Sequence, residues 1–143
     1  LNTVYFHSTG GDKIMEDVKI KIAGLWIFKA LASLTFTIIM LMEEGVLEGI
    51  MAGEFLGMEI GPEILLVGAI EAWAPLVMIV VSLTLKYKAN RWTNIIAGIV
   101  FTALSLMSMA DALTAHGILL WVSQAGATAL IVWLAWKWPK QED

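Results

Sequence analysis

The sequence predicts an all-α integral membrane protein: a four-helix bundle with both termini on the cytoplasmic side. Three observations point there. Of 143 residues, 59% are hydrophobic, above the roughly 45–50% of a typical soluble domain. The apolar residues are gathered into four runs of about 20 residues, the length that crosses a hydrocarbon core. The basic residues sit almost entirely in alternate connections between those runs.

The spans cover about 22–42, 64–85, 92–113 and 118–138. Backbone groups cannot be left open in lipid, so a spanning segment is a helix or a strand of a closed barrel. Continuous apolar runs without alternation select helices. Lys13, Lys19 and Lys21 precede the first span; Lys86, Lys88 and Arg91 join the second to the third; Lys137 and Lys140 follow the fourth. The connections 43–63 and 114–117 contain no Lys or Arg. Eight of the nine basic residues therefore share one face, and the ninth, Lys29, lies inside a span. Positive charge marks the cytoplasmic face, which places the chain in the inner (plasma) membrane. Trp92, Trp133, Trp136 and Trp138 are expected to form an aromatic belt at that face.

Residues 1–14 are polar, with no apolar run of a signal peptide. They are set aside as a disordered tail or an extension ahead of a start at Met15, leaving 15–143 as one transmembrane domain. There is no cysteine, which excludes disulfides, thiolate metal sites and cysteine nucleophiles. Two histidines are too few for a histidine-rich metal or haem site. No P-loop, dinucleotide fingerprint, nucleophile elbow or H-E-x-x-H is present, and no surface is patterned for nucleic acid. The expectation is a non-enzymatic protein with no cofactor or metal.

The first outer connection carries Glu43, Glu44, Glu48, Glu54, Glu59 and Glu63. Val46, Leu47, Ile50 and Met51 recur at helical spacing, which predicts a short helix on the membrane surface. Glycines at 45, 49, 53, 57 and 61 would line a packing groove if the segment were helical throughout. Each glycine costs a helix about 1 kcal/mol, so a short helix followed by a Gly-rich turn is favoured. Gly61-Pro62-Glu63 opens the second span, with Pro and an acid in its first turn. The basic loop 86–91 could touch anionic headgroups, although as a topology signal it needs no such role. The last connection is short enough to make spans three and four antiparallel neighbours.

Polar groups within spans are costly and mark candidate sites. Counted from the middle of its span, Lys29 lies about 5 Å toward the cytoplasm. Helical side chains lean toward the N-terminus, so Lys29 is expected to snorkel to that interface. Ser33 and Thr37 follow at four-residue steps and are expected to share its inward face. Glu71 lies about 5 Å to the outer side of the middle of span two. A carboxyl buried alone favours its neutral form, and Pro75 removes the donor to the carbonyl of Glu71. The two side chains lean in opposite directions, so the geometry speaks against a Lys29–Glu71 pair. Gln124, about 6 Å outside the middle of span four, is the expected partner of Glu71. Glu71-Ala72-Trp73-Ala74 and Gln124-Ala125-Gly126-Ala127 share spacing, a hint of a weak 2+2 repeat. Asn94, Gly98, Thr102, Ser105, Ser108 and Ala112 form a seam of small and polar residues suited to tight packing. Asp111 and His116 are placed at the wet outer interface, where together they could sense pH.

Met15 to Lys21, with Leu25-Trp26-Ile27-Phe28 after it, resembles the start of a family of small uncharacterised prokaryotic membrane proteins broadly grouped with DoxX-like four-helix proteins. Residues 86–98 (KYKANRWTNIIAG) and 135–139 (AWKWP) extend the resemblance. It covers nearly everything from Met15 onward and implies topology, not mechanism. An acid followed closely by Pro in span two is similar to the family pattern. That pattern can carry an acid where this chain has Gln124, and it lacks a lysine at the position of Lys29.

The leading expectation is a proton, cation or small-molecule site at Glu71 and Gln124, in a protein whose partner is the lipid bilayer. A DoxX-like analogy implies instead an accessory subunit of a quinone-linked or other membrane complex. A third reading is a structural bundle that homo-oligomerises through small-residue faces such as that of Gly98.

Overall fold

Each apolar run forms a helix whose ends follow from local chemistry. The computed structural model describes residues 10–55, 57–111 and 114–139. Helix α1, Gly10–Met40, has 31 residues and is about 46 Å long at 1.5 Å per residue. That exceeds a hydrocarbon core of about 30 Å, so its polar first turns extend past the apolar run. Residues 10–14, expected to belong to a tail, are thus the start of α1; residues 1–9 lie outside the described residues.

After α1 come a short helix α2, Val46–Met51, and a two-stranded hairpin, β1 (Glu54–Phe55) and β2 (Met58–Glu59), pairing Glu54 with Glu59 and Phe55 with Met58. Gly45, Gly53 and Gly57 have φ of 80°, 86° and 75°. L-residues with side chains rarely adopt that region, so these glycines turn the chain and form no continuous helical groove. The short helix and Gly-rich turn were legible; the hairpin was not. Helix α3, Pro62–Thr84, starts with Pro in its first turn behind an extended Gly61 and continues through Pro75. It stops where Leu85 becomes extended. Helix α4, Tyr87–Asp111, follows directly. In helix α5, Ala115–Trp136, the N-cap hydroxyl of Thr114 accepts from the Gly117 amide at 3.3 Å.

The four long helices are long and apolar enough to cross a membrane. Leu65, Val67, Trp73, Met107, Leu119 and Trp136 are exposed on their outer faces, a surface suited to lipid. α4 packs along α5, and α1 packs along both α3 and α5. α3 and α4 meet little, with their hydrogen bonds confined to the end near their connection. The order around the bundle is therefore α3–α1–α5–α4, open along the α3/α4 side. A two-fold repeat would map α1 onto α4 and α3 onto α5, making the α3/α4 contact match α1/α5. The packing lacks that match, so the hinted repeat is not reflected in it.

The core gathers at the end that carries the basic connections: Ile22 and Trp26 meet Met78, Ile95, Phe101, Ile131, Ala135 and Trp138. Trp138 is buried and sets its ring edge-on to Tyr87 at 5.6 Å. It therefore leaves the expected aromatic belt, while Trp92, Trp133 and Trp136 remain exposed. The α4 seam works inside the molecule. A Cβ on Gly98 would come within 2.6 Å of Val132 Cγ2 and 3.2 Å of the Thr128 carbonyl, and the Thr102 and Thr128 hydroxyls lie 2.8 Å apart. Gly98 thus lets α4 approach α5 and is no oligomer face; Ala112, the last seam position, lies outside the described residues.

Candidate functional site

The depth of Lys29 sets the site. Contacts fix the register of α1 against α3: Lys19 reaches the Leu85 carbonyl, and fourteen residues further along each antiparallel helix Ser33 reaches Glu71. Glu71 is therefore level with the turn of α1 that runs from Lys29 to Ser33, and the long lysine stem closes what remains. Lys29 Nζ pairs with Glu71 Oε1. This overturns both the expected snorkelling of Lys29 and the expected absence of a pair. Ser33, one turn on, donates from Oγ to Glu71 Oε2 at 3.0 Å. The ammonium also lies 4.6 Å from the centre of the Phe101 ring on α4, a cation–π contact.

The two partners are unequally covered. The Lys29 side chain is 1% exposed and the Glu71 side chain 35%. An isolated charge in a span would cost several kcal/mol, and pairing offsets that cost. The acid is the group that can be reached, and α3, which carries it, borders the open α3/α4 side of the bundle. Pro75 is buried one turn further along α3 and deprives the Glu71 carbonyl of its helical donor. Thr37 does not join the site: it is exposed, and its hydroxyl donates to the Ser33 carbonyl at 3.1 Å. Four-residue steps drift by about 40° each on a helix, so the second step carries the stripe off the inner face.

Gln124 is fully buried, yet it does not meet Glu71 by hydrogen bond. Glu71 lies on α3 and Gln124 on α5, the two helices that flank α1 on either side. Both amide atoms of Gln124 lack a hydrogen-bond partner, as does the Nε1 of Trp121 one turn earlier. At the acidic end, His116 Nε2 lies 2.5 Å from Glu43 Oε1 and 3.3 Å from Thr114 Oγ1. That contact ties the start of α5 to the turn that follows α1. The side chain of Asp111, expected to act with His116, lies outside the described residues. Among the described residues no three His, Asp or Glu side chains converge as metal ligands would.

A second polar cluster escaped the sequence reading. Asn94 Oδ1 accepts from Trp26 Nε1 at 2.7 Å and from Ser82 Oγ at 3.0 Å. Asn94 Nδ2 donates to Asn90 Oδ1 at 2.7 Å, and Asn90 Nδ2 donates to the Ser82 carbonyl at 2.7 Å. Trp26, Ser82, Asn90 and Asn94 are all 0% exposed, and their shared bonds fasten α1, α3 and α4 together. The available signal was the run of polar residues at 82, 90 and 94 beside the α3–α4 connection. Such a satisfied network holds helices in place; it offers no free group for chemistry.

The model of a family of unknown function, DUF6326, matches residues 13–143, and the chain belongs to that family. The match carries no link to DoxX-like proteins. No curated protein and no solved structure matches the chain.

Proposed function

We propose that this is a non-enzymatic multi-pass membrane protein, with its termini in the cytoplasm, whose functional centre is Glu71. At that centre a proton or an organic ammonium group competes with Lys29 for the carboxylate. The carrying observation is the unequal burial of the pair: a sealed lysine and an acid about one-third exposed, 1% against 35%. A ligand approaching this pair meets negative charge first. An inorganic divalent ion is poorly served by one carboxylate and one hydroxyl. A proton or a single ammonium needs no more than Glu71 Oε1 and Oε2. The basic residues gathered at the end of the bundle that carries the chain's termini support the cytoplasmic placement.

The test uses the full chain in liposomes, a fluorescent alkylammonium probe, its uncharged isostere, and a trapped pH dye. The wild type is expected to bind the ammonium probe or to pass protons, and to ignore the isostere. Glu71→Gln is expected to abolish the response, and Lys29→Met to tighten probe binding by removing the internal competitor. If wild type and Glu71→Gln behave alike with both readouts, the proposal fails. The structure gives the quinone-linked accessory role no observation of its own.

A further inference from the structure

The surroundings of Glu71 decide what can reach it. A carboxylate offers about four acceptor positions. Lys29 takes one on Oε1 and Ser33 one on Oε2, and 35% of the side chain stays uncovered. Toward the basic end the way is shut. Trp26, Ser82, Asn90 and Asn94 are fully buried and bonded to one another across α1, α3 and α4. The buried residues of α3 are Pro75, Met78 and Ser82, all on the basic side of Glu71.

Toward the acidic end the opposite holds. Residues 65–70 of α3 are all exposed. Six consecutive residues make more than a full turn, so no face of the helix is buried there. Their large side chains, Leu65, Leu66, Val67 and Ile70, are apolar. Val67 and Gly68, four and three positions before Glu71, share its side of the helix. A Cβ on Gly68 would meet nothing within 4 Å. The outer half of α3 therefore stands clear of the bundle, and an apolar gap leads along it to Glu71. This stretch belongs to a span, so the gap opens to hydrocarbon. A small hydrated cation would have to shed its water in apolar surroundings, at a high cost. An ammonium on an apolar tail keeps the tail in such surroundings throughout, and only its head needs a charged partner.

We infer that the ligand of Glu71 is an amphiphile, a primary ammonium on an apolar tail, which enters sideways from the bilayer and lays its tail along the outer half of α3. This inference rests on the reading of Glu71 as the carboxylate that an ammonium contests with Lys29. The experiment places the full chain in nanodiscs and measures saturable binding of octylammonium and of an ammonium with an oligoether tail of the same length. Affinity is referred to the probe taken up by empty nanodiscs, which removes simple partition. Glu71→Gln removes the charge. Gly68→Trp keeps the ion pair and adds its bulk to open space on the course of the tail, so it tests the site in a folded chain. Val80→Trp, at an exposed position of α3 on the basic side of Glu71, is the control for bulk. The wild type is expected to bind one octylammonium per chain and the oligoether probe about tenfold more weakly. Octylammonium binding should vanish in Glu71→Gln, weaken about tenfold in Gly68→Trp and stay unchanged in Val80→Trp. Equal affinity for the two probes, or equal octylammonium binding by Gly68→Trp and Val80→Trp, overturns the inference and leaves the ammonium reading of Glu71 standing. No saturable binding of either probe, or binding that Glu71→Gln does not change, overturns both.

Discussion

Removing either partner of the Lys29–Glu71 pair is expected to destabilise the bundle, by unequal amounts. Glu71→Gln leaves the buried Lys29 ammonium, on a side chain 1% exposed, with no counter-charge. Breaking a buried pair in that way costs about 3–5 kcal/mol, and the remaining amide oxygen and the Phe101 ring place this case near the lower end. Lys29→Met leaves a carboxylate that keeps the Ser33 hydroxyl and a partly open face, so a loss of about 1–2 kcal/mol is expected. In the double variant no unpaired charge remains, and replacing both partners is often close to neutral. Its loss should stay within about 1–2 kcal/mol of wild type, a coupling of roughly 2–3 kcal/mol against the summed single losses. The assay is reversible unfolding from mixed micelles by SDS, followed by far-UV circular dichroism. Losses that add within about 0.5 kcal/mol would refute the reasoning, because they would mean that the two side chains do not sense each other.

Three other outcomes follow from the packing. Gly98→Ala is expected to cost about 1–3 kcal/mol by overpacking, since its Cβ would lie 2.6 Å from Val132 Cγ2 and 3.2 Å from a backbone oxygen; the same unfolding assay checks it, with no change in oligomeric state. Asn94→Leu strips the acceptor from Trp26 Nε1 and the donor from Asn90 Oδ1, while Ser82 Oγ keeps the Met78 carbonyl, and about 2–3 kcal/mol should be lost; a shift of the Trp26 indole N–H resonance reports the broken bond. His116→Gln should change stability by less than about 1 kcal/mol, because the Glu43 contact is exposed. Any loss should shrink further in high salt, which melting at two ionic strengths would show.

The fold was legible because membrane spans leave a coarse signal. Four apolar runs and a one-sided distribution of lysines and arginine survive errors of several residues at each helix end. The site was less legible because it depends on those same ends. Lys29 and Glu71 were set about 10 Å apart in depth by counting from the middle of an apolar run. The register of α1 against α3, fixed by contacts such as Ser33 with Glu71, brings the two residues together, and no count within one span gives that register. The spacing of Glu71 and Pro75 and of Lys29 and Ser33 was legible, but Glu71, expected to be buried, is 35% exposed. Gln124 was matched to Glu71 by depth alone, and depth does not say which helices are adjacent. The order α3–α1–α5–α4 is a tertiary fact with no sequence periodicity behind it. The Trp26–Ser82–Asn90–Asn94 network was hidden for the same reason, since its members come from three helices. Trp138 reads as a belt residue from its position at the end of the last span, but the edge-on contact with Tyr87 draws it into the core.

The central claim is that Lys29 and Glu71 form an ion pair inside the spans. Solid-state NMR of the wild-type protein in lipid measures this directly, through dipolar recoupling between ¹⁵Nζ of Lys29 and ¹³Cδ of Glu71. The account predicts a coupling that places nitrogen and carboxyl carbon within about 4 Å, the range of a contact ion pair. Absence of that coupling, with Lys29 Nζ coupled instead to phospholipid phosphorus at the basic face, would show a snorkelling lysine and contradict the account.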